Sequence, residues 1–267
     1  MRALSFFVAL LVTLPNSPAS QQATSSSSTS STQATQLLQQ SLAALQGNTS
    51  ISDVTLSGSA RRIAGSDDES GTATLKALAS GAGRMDLALS GGQRIEICNS
   101  TVTPPAGSWS GPDGVSHPIS YHNLMTDPAW FFPAFPISRA FSSSGYATAY
   151  IGQETRSGQS VQHVQVWQIS TVQTPPGTPT FQHLSQMDFY LDSTTLLPAA
   201  ATFNTHPDND MGLDLPVEIR FSDYRSLNGS QIPYHIQKFL NNSLLLDFQA
   251  QTVTPNSGLS AAAFGVL

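Results

Sequence analysis

A serine nucleophile would be the simplest catalytic group to recognise in this chain, and the best candidate motif for one fails. The run from Gly107 to Gly111 reads Gly-Ser-Trp-Ser-Gly, close to the Gly-x-Ser-x-Gly turn that presents the nucleophile of many hydrolases. Its central residue is Trp109, which has no oxygen that could attack a carbonyl carbon. We therefore interpret this run as a loop and predict no catalytic residue.

Six histidines could supply metal ligands or a general base, but their spacing supports neither role. No two of them show the His-x-x-x-His spacing that places both imidazoles on one helix face, and none has a carboxylate at the spacing of a common zinc motif. The sequence therefore predicts no metal site and no cofactor. The histidines are His117, His122, His163, His183, His206 and His235.

The remaining metal-ligand residue types are equally uninformative. The run from Asp208 to Asp210 begins like a calcium loop, but Gly212 follows too early and no glutamate closes the loop. We interpret it as a solvated turn. Cys98 is the only cysteine, which excludes an intramolecular disulfide, a cysteine-based zinc site and an iron–sulfur cluster.

Composition narrows the class of partner. Of the 267 residues, 11 are Lys or Arg and 17 are Asp or Glu, so 10% carry a charge, whereas a typical soluble domain has about 25%. The net charge is −6 and no basic run interrupts it, so we expect no nucleic-acid partner. A hydrophobic content of 39% still suffices for one sizeable core.

The N-terminus predicts export. Met1 and Arg2 precede an apolar run that ends at Leu14, and Ala19 is a suitable cleavage position. We predict a signal peptide over residues 1–19, a flexible Ser/Thr-rich linker over 20–33 and a single domain over 34–267. The apolar run is shorter than the roughly 20 residues of a membrane span, and no cysteine follows it to carry a lipid. The mature chain is expected in the periplasm or secreted, without a membrane span.

Periodicity then predicts the elements of the mature chain. Leucines at helical spacing predict one amphipathic helix over 34–46, which ends at Gly47. Beyond it, apolar and polar residues alternate with a period of two, and short Gly- and Asn-containing turns favour antiparallel pairing. The predicted strands are 54–56, 72–77, 84–89, 94–97, 161–169, 187–191, 217–221, 232–239 and 244–253.

The segment over 99–145 departs from this alternation. Asp127 followed by a proline is typical of a helix cap, and we predict short helices over 128–132 and 136–141. Aromatic residues crowd this segment and favour either core packing or a lid over a cavity. The lid residues would be Trp130, Phe131, Phe132 and Phe135.

Short motifs in the last third of the chain resemble those of a known superfamily. They are Leu197-Pro198 after the strand at 187–191, Ser222-Asp223-Tyr224-Arg225 followed by Asn228-Gly229 and Ile232-Pro233, and finally Asn256 with Phe264. Together with the N-terminal helix, they resemble the LolA/LolB-like superfamily of periplasmic lipid and lipoprotein carriers. The resemblance implies an α+β fold: a mainly antiparallel, strongly curved, incomplete β-barrel that wraps one N-terminal amphipathic helix and a short helical lid.

The resemblance also implies that the concave face of the sheet binds lipid or acyl chains. For any single position there, packing in a dry core is the more common role. The candidate lining residues are Leu56, Leu75, Met85, Leu87, Ile95, Val164, Val166, Phe189, Leu191 and Phe221.

The chain departs from the classical carriers in one strand. They have an Arg-Pro-x-x-Phe-Arg-Trp type strand, and this chain instead has the run from Gly83 to Leu87. The arginine that locks the lid in the carriers does not map onto Arg61, Arg62 or Arg84. The resemblance therefore implies a monomeric binding or carrier protein for a lipid-like or apolar ligand, related to lipoprotein handling but less specific than lipoprotein delivery.

Two other functions stay open from the sequence. One is an envelope sensor or interaction module that binds a protein partner and has a filled interior. The other is a secreted hydrolase, which would need an acid, a base and a nucleophile clustered, for instance, around His117, His122 and Asp127. Because no such motif is visible, we expect that the protein is not an enzyme.

Overall fold

The computed structural model describes residues 27–142, 145–170 and 175–266, and within them thirteen strands form one antiparallel, curved sheet. The strands are β1 Asp53–Ala64, β2 Asp67–Leu78, β3 Ala82–Leu89, β4 Gly92–Asn99, β5 Ala106–Ser110, β6 Ser116–Pro118, β7 Tyr146–Arg156, β8 Gln159–Gln168, β9 Met187–Asp192, β10 Pro198–Thr205, β11 Leu215–Leu227, β12 Ser230–Leu240 and β13 Ser243–Pro255. The helices are α1 Ser27–Gln46, α2 Ala134–Ser142 and α3 Phe181–Ser185, with 3₁₀ turns at Tyr121–Leu124 and Ala261–Phe264.

The strand order divides the sheet into two meanders. It runs β6-β5-β4-β3-β2-β1-β13-β12-β11-β10-β9-β8-β7, so every pair of neighbours is consecutive in the chain except β1 and β13. That single long-range pairing joins the two halves. The outermost strands, β6 and β7, do not pair with each other, and the sheet stays open. This confirms the predicted mainly antiparallel, incomplete barrel.

Helix α1 lies on the inner face of the sheet, which we define as the face that carries Leu56 and Phe248. Leu38 and Leu45 of the helix are buried in the same core as these two side chains. The helix begins at Ser27 rather than at residue 34, so residues 27–33, predicted as linker, are helical. The predicted signal peptide and the rest of the linker lie outside the described residues.

The C-terminal end of α1 is fixed to the β11–β12 turn. Gly47, with φ +55°, ends the helix, and a Cβ there would lie 2.5 Å from the carbonyl oxygen of Gly229. The hydroxyl of Ser230 donates to the carbonyl of Gln46 at 3.1 Å, and the hydroxyl of Thr49 donates to the carbonyl of Asn228 at 2.8 Å. The helix stop signal and the hairpin motif recognised in the sequence therefore meet in space.

The connection between the two edge strands crosses the inner face. It contains α2 and the aromatic segment, and we call residues 127–142 the lid segment. The helix predicted over 128–132 is absent there: these residues form turns, with the amide of Phe132 donating to Ala129. A proline at 133 disfavours helical backbone at Phe132. The second predicted helix is present as α2 and begins two residues before Pro136.

The outer face is covered at one end by the C-terminal segment. Phe264 is fully buried there with Ala82 and Ile97. Asn256 accepts hydrogen bonds from the amide and hydroxyl of Ser52, and its own amide group donates to Ser50. The terminal motif is thus structural. No helix in the described part of the chain is both long and apolar enough to cross a membrane.

Candidate functional site

An open cleft lies on the inner face between the β3–β5 strands and the β12–β13 strands. It consists of two adjoining cavities of about 370 and 230 Å³. The two cavities share Glu96, Trp109, Lys238 and Leu245 as wall residues. We call both together the inner cleft. The larger cavity lies within the size range of small-molecule sites.

Apolar side chains from three strands line the larger cavity. Met85 and Leu87 of β3 and Leu246 of β13 contribute to its wall. Trp109 of β5 completes it: its ring stacks on His117 with ring centroids 4.4 Å apart, yet the residue remains 44% exposed. The run around Trp109 was interpreted as a loop, but it is strand β5, and its alternation places the indole on the inner face next to Glu96. The wall therefore exposes a large apolar surface inside the cleft.

Two arginines share one carboxylate at the end of the cleft. Arg62 and Glu69 are direct cross-strand partners, with 3.5 Å between Nη1 and Oε2. Arg94 approaches the same Oε2 to 2.8 Å. The Nη1 of Arg94 is buried and has no hydrogen-bond partner among the described residues. One carboxylate thus binds two guanidinium groups, and Glu96, on the same face of β4 as Arg94, adds a second negative charge to the cavity wall.

Lys238 of β12 places a further positive charge in the cleft. Its Nζ lies 4.5 Å from the centroid of the Trp130 ring, a cation–π contact. No carboxylate lies within 4 Å of this ammonium in the described ranges. In the sheet, Lys238 and Arg62 are both cross-strand neighbours of Leu246, so the two cations flank one apolar residue.

A buried ion pair fixes the lid segment. Arg139 in α2 binds the carboxylate of Asp127, with 2.7 Å between Nε and Oδ2, and also donates to the carbonyl of Ala79 in the β2–β3 turn. Asp127 accepts in addition the amide of Ala129 at 2.8 Å. The arginine that holds the lid is therefore Arg139, a residue that the sequence motifs did not indicate.

Cys98 lies in the wall of the smaller cavity. Burial raises the pKa of its thiol well above the ordinary range, and the nearby Glu96 raises it further, while Lys238 acts in the opposite direction. The thiol is therefore protonated at neutral pH, and a protonated thiol is a poor nucleophile.

Solved structures of similar shape come from bacterial proteins. A putative outer membrane lipoprotein-sorting protein domain from Vibrio parahaemolyticus matches with a TM-score of 0.55 and 12% identity, over 88% of this chain and 97% of that one. A DUF1329 family protein from Desulfovibrio piger matches with a TM-score of 0.50 and 12% identity, over the same shares. A LolA superfamily protein from Nitrosomonas europaea has a TM-score of 0.46 and 13% identity, over 87% and 97%. The chain has a LolA-like fold.

Sequence comparison with known families and curated proteins does not identify this fold. No protein-family model matches the sequence, and no curated protein matches it. At identities of 12–13%, the solved structures describe the backbone arrangement and not the ligand. The function of this LolA-like chain therefore has to be argued from its own side chains.

Most of the predicted lining residues lie in the core of the LolA-like fold rather than on a free surface. Among the predicted set, Met85, Leu87 and Ile95 line the larger cavity of the inner cleft, and Trp130 of the lid borders its smaller cavity. The others are packed in one continuous core with the lid and α1. They are Leu56, Leu75, Val164, Val166, Phe189, Leu191, Phe221, Phe131, Phe132 and Phe135.

The side chain of Ile95 packs on a different face of the sheet from those of Met85 and Leu87. Ile95 pairs with Asp86 rather than with Met85, so its side chain faces outward and packs with the cluster of Ala82, Ile97 and Phe264. The apolar run in β4 therefore serves the outer face. The residues of β4 on the cleft side are Arg94 and Glu96, because the strand buries its apolar positions under the C-terminal segment and not under the lid.

The catalytic cluster considered for a hydrolase does not assemble. His117 stacks on Trp109, and His122 approaches the carbonyl oxygen of Pro207 with its Nε2 at 3.2 Å. Asp127 is bound to Arg139. Each of the three groups thus has a different partner.

Proposed function

We propose that this LolA-like protein is an extracytoplasmic binding or carrier protein for a lipid-like ligand with an anionic end. The observation that supports this most is the combination, in one cleft, of an apolar wall with an ammonium that has no carboxylate partner. Met85, Leu87 and Leu246 would contact the apolar part of the ligand, and Lys238 its charged end. The extracytoplasmic location rests on the predicted signal peptide.

The mechanism would involve binding and release without bond making. Each Å² of apolar surface removed from water contributes about 25 cal/mol, so the alkyl part of the ligand would supply most of the affinity. The charged end would supply selectivity, since the ammonium of Lys238 has no carboxylate within 4 Å among the described residues and could pair with an anion in the cleft. Trp109, exposed at the wall, offers a flat apolar surface for an alkyl chain.

A protein-partner role is the second candidate from the sequence. The packed core behind the lid segment matches the filled interior that this role predicted, but the open cleft of about 370 Å³ beside Trp109 has the size of a small-molecule site. A hydrolase is supported less still, because the acid and base candidates have unrelated partners. We therefore retain ligand binding as the conclusion.

Quenching of tryptophan fluorescence by a brominated fatty acid tests this proposal. The chain has three tryptophans; Trp109 and Trp130 border the cleft, whereas Trp167 lies in β8 beside the inward-facing Val166 and faces outward. We expect saturable quenching by bromododecanoate in the wild-type protein. The quenching should be largely lost in the double variant Trp109→Phe/Trp130→Phe and retained in the matched control Trp167→Phe.

Two outcomes would contradict the proposal. One is the absence of saturable quenching at micromolar concentrations of the brominated acid, in protein stripped of lipid under mild conditions. The other is quenching that survives in the double variant and disappears in Trp167→Phe, which would place the ligand outside the cleft. Mass spectrometry of lipid that co-purifies with the native protein would then identify the physiological ligand.

A further inference from the structure

Three metal-ligating side chains meet at the end of the β10–β11 hairpin. They are His183, His206 and Asp214, whose donor atoms all lie within 4.8 Å of one another. The Oδ1 of Asp214 is 2.9 Å from the Nε2 of His183 and 3.1 Å from the Nε2 of His206. We call these three residues the His–His–Asp cluster.

The sheet places two members of the cluster side by side. Thr205 and Leu215 form the last residue pair of the β10–β11 ladder, so His206 and Asp214 stand at the two sides of the loop that follows it. The backbone of His206 is also fixed: its amide donates to the side-chain oxygen of Asn123, and its carbonyl accepts from the nitrogen of the same side chain. Two ligand positions are therefore held before any ion arrives.

Helix α3 supplies the third member. Thr180 precedes this short helix, and its hydroxyl accepts the backbone amide of His183 at 3.2 Å, which fixes the start of the helix. His183 is 40% and Asp214 42% exposed at the side chain, whereas His206 is 1% exposed. One ligand is thus rigid and buried, and the other two face solvent, from which an ion can approach.

The donor set and the spacing fit one class of ion. Zinc binds imidazole nitrogen at about 2.0–2.1 Å and carboxylate oxygen at about 2.0–2.2 Å, in tetrahedral geometry. Donor atoms around such an ion are therefore roughly 3.3 Å apart, close to the two distances to Asp214. Two imidazoles with one carboxylate suit zinc and its neighbours, whereas calcium and magnesium prefer oxygen ligands only.

We propose that His183, His206 and Asp214 bind one divalent transition-metal ion of the zinc class, with a fourth position open to water. The ion would join α3 to the β10–β11 hairpin, two elements that otherwise contact each other at few side chains. Binding through Nε2 would leave the proton of each neutral imidazole on Nδ1, since a metal-bound nitrogen must use its lone pair. The site is independent of the ligand proposed for the inner cleft.

Calorimetry and cobalt spectroscopy on the untagged, metal-free protein test the site. We expect one zinc ion per chain, visible absorption typical of tetrahedral cobalt on addition of Co²⁺, and a higher Tm with zinc than without. The variants His183→Ala and Asp214→Asn replace exposed side chains, so they should fold. Each should weaken zinc binding more than about a hundredfold, beyond the roughly 10–100-fold effect of losing an indirect partner.

The matched control is His235→Ala. The Nε2 of His235 also lies 2.8 Å from a carboxylate oxygen, that of Asp247, but no second imidazole of the described residues completes a three-ligand group there. Zinc binding unchanged in this control supports the cluster. Absence of saturable zinc binding in the wild-type protein, or equal binding in Asp214→Asn and wild type, would refute the site. Calcium should give no heat above dilution, and calcium binding in place of zinc would equally contradict it.

Discussion

At the scale of single residues, the proposed function gives Lys238 the role of binding the anionic end of the ligand. The variant Lys238→Met keeps an unbranched side chain against Trp130 and removes the positive charge. We expect its affinity for dodecanoate to fall roughly tenfold, because a hydrogen bond to a charged group contributes about 1.5–3 kcal/mol. Affinity for dodecanol, which has no charge, should change little. Calorimetric titration with both ligands measures the difference.

The chain offers a matched control, since its other lysine, Lys76, lies on β2 opposite the outward-facing Arg84. Lys76→Met should leave both affinities unchanged. If Lys238→Met lowered the affinities for dodecanoate and dodecanol equally, Lys238 would contribute to the shape of the cleft and not to recognition of a negative charge. The proposal that the ligand has an anionic end would then be wrong.

Asp53 is a charged residue that contributes to the stability of the fold and not to ligand binding. The residue is 3% exposed, and its carboxylate accepts the amide and the hydroxyl of Ser257 and the amide of Gly258, at 2.8 to 3.1 Å. Burial opposes ionisation of Asp53, but these hydrogen bonds outweigh it and lower the pKa of the carboxyl. The ionised carboxylate therefore joins the start of β1 to the segment after β13.

Replacing Asp53 by Asn should destabilise the protein in a pH-dependent way. Because the pKa is lower in the folded state, the ionised group contributes its full stability above the unfolded pKa of about 3.9. That stability is lost as the pH falls through the lower folded value. We expect Asp53→Asn to cost about 1–3 kcal/mol at pH 7 and the gap to wild type to narrow below about pH 4. Urea unfolding at both pH values tests this, with the exposed Asp67→Asn as control; a gap that is constant with pH would contradict it.

At the scale of elements, the contact between the lid segment and β3 depends on a missing side chain. A Cβ at Gly83 would lie 2.1 Å from the carbonyl oxygen of Pro128, so the lid backbone rests directly on the strand. We expect Gly83→Ala to push the lid segment away and to cost about 1–3 kcal/mol, as overpacking does. Hydrogen exchange of the amides in α2 should become faster.

Gly265→Ala is the control for this change, because a Cβ at Gly265 would have its nearest neighbour at an ordinary 3.7 Å. It should leave the stability and the exchange of α2 near the wild-type values. If amide hydrogen exchange in α2 were unchanged in Gly83→Ala, the lid segment would accommodate the extra methyl group by a local shift. Close packing of the lid segment on β3 would then not be required.

At the scale of the whole molecule, we expect a single unfolding transition, because the two halves of the sheet share one hydrophobic core. Side chains of α1, the lid segment and strands from both meanders belong to a single continuous cluster. Trp109 reports on β5 in the first meander and Trp167 on β8 in the second. Urea unfolding of Trp167→Phe and of Trp109→Phe/Trp130→Phe should therefore give, within each variant, coincident fluorescence and circular dichroism curves. Separate transitions from the two meanders would show that 34–267 is not one cooperative domain.

The sequence predicted the architecture where local rules decide it. Alternation identified most strands, the glycine at 47 marked the end of α1, and the motif around Asn228 marked a tight hairpin that the structure confirms with φ +52° there. These features depend on neighbours in the chain. The turns before Pro133, predicted as helix, show the limit of such rules, since a proline and its preceding residue override a plausible cap.

The candidate site could be predicted only in part, because its residues are brought together by the pairing and register of the strands, which the sequence does not show. Met85 and Leu87 were recognisable by alternation, but Lys238 reaches the cleft through the β12–β13 ladder and Arg94 through the register of β3 and β4. Ile95 borders the larger cavity but also packs on the outer side of β4, because Phe264 covers that side, which the sequence does not show. The His–His–Asp cluster likewise needs the β10–β11 register, and no local motif encodes it.

The route of the chain across the inner face has a mechanical consequence. The lid segment belongs to the connection between β6 and β7, the two outermost strands. Because the lid segment is attached at both ends, it cannot rotate away about one hinge. It can move off the inner face only if its middle bends outward or if the two edge strands move apart. Entry of an alkyl chain from the inner cleft into the space behind the lid segment would then be coupled to the width of the open sheet, and conditions that loosen the edge strands should make such entry faster.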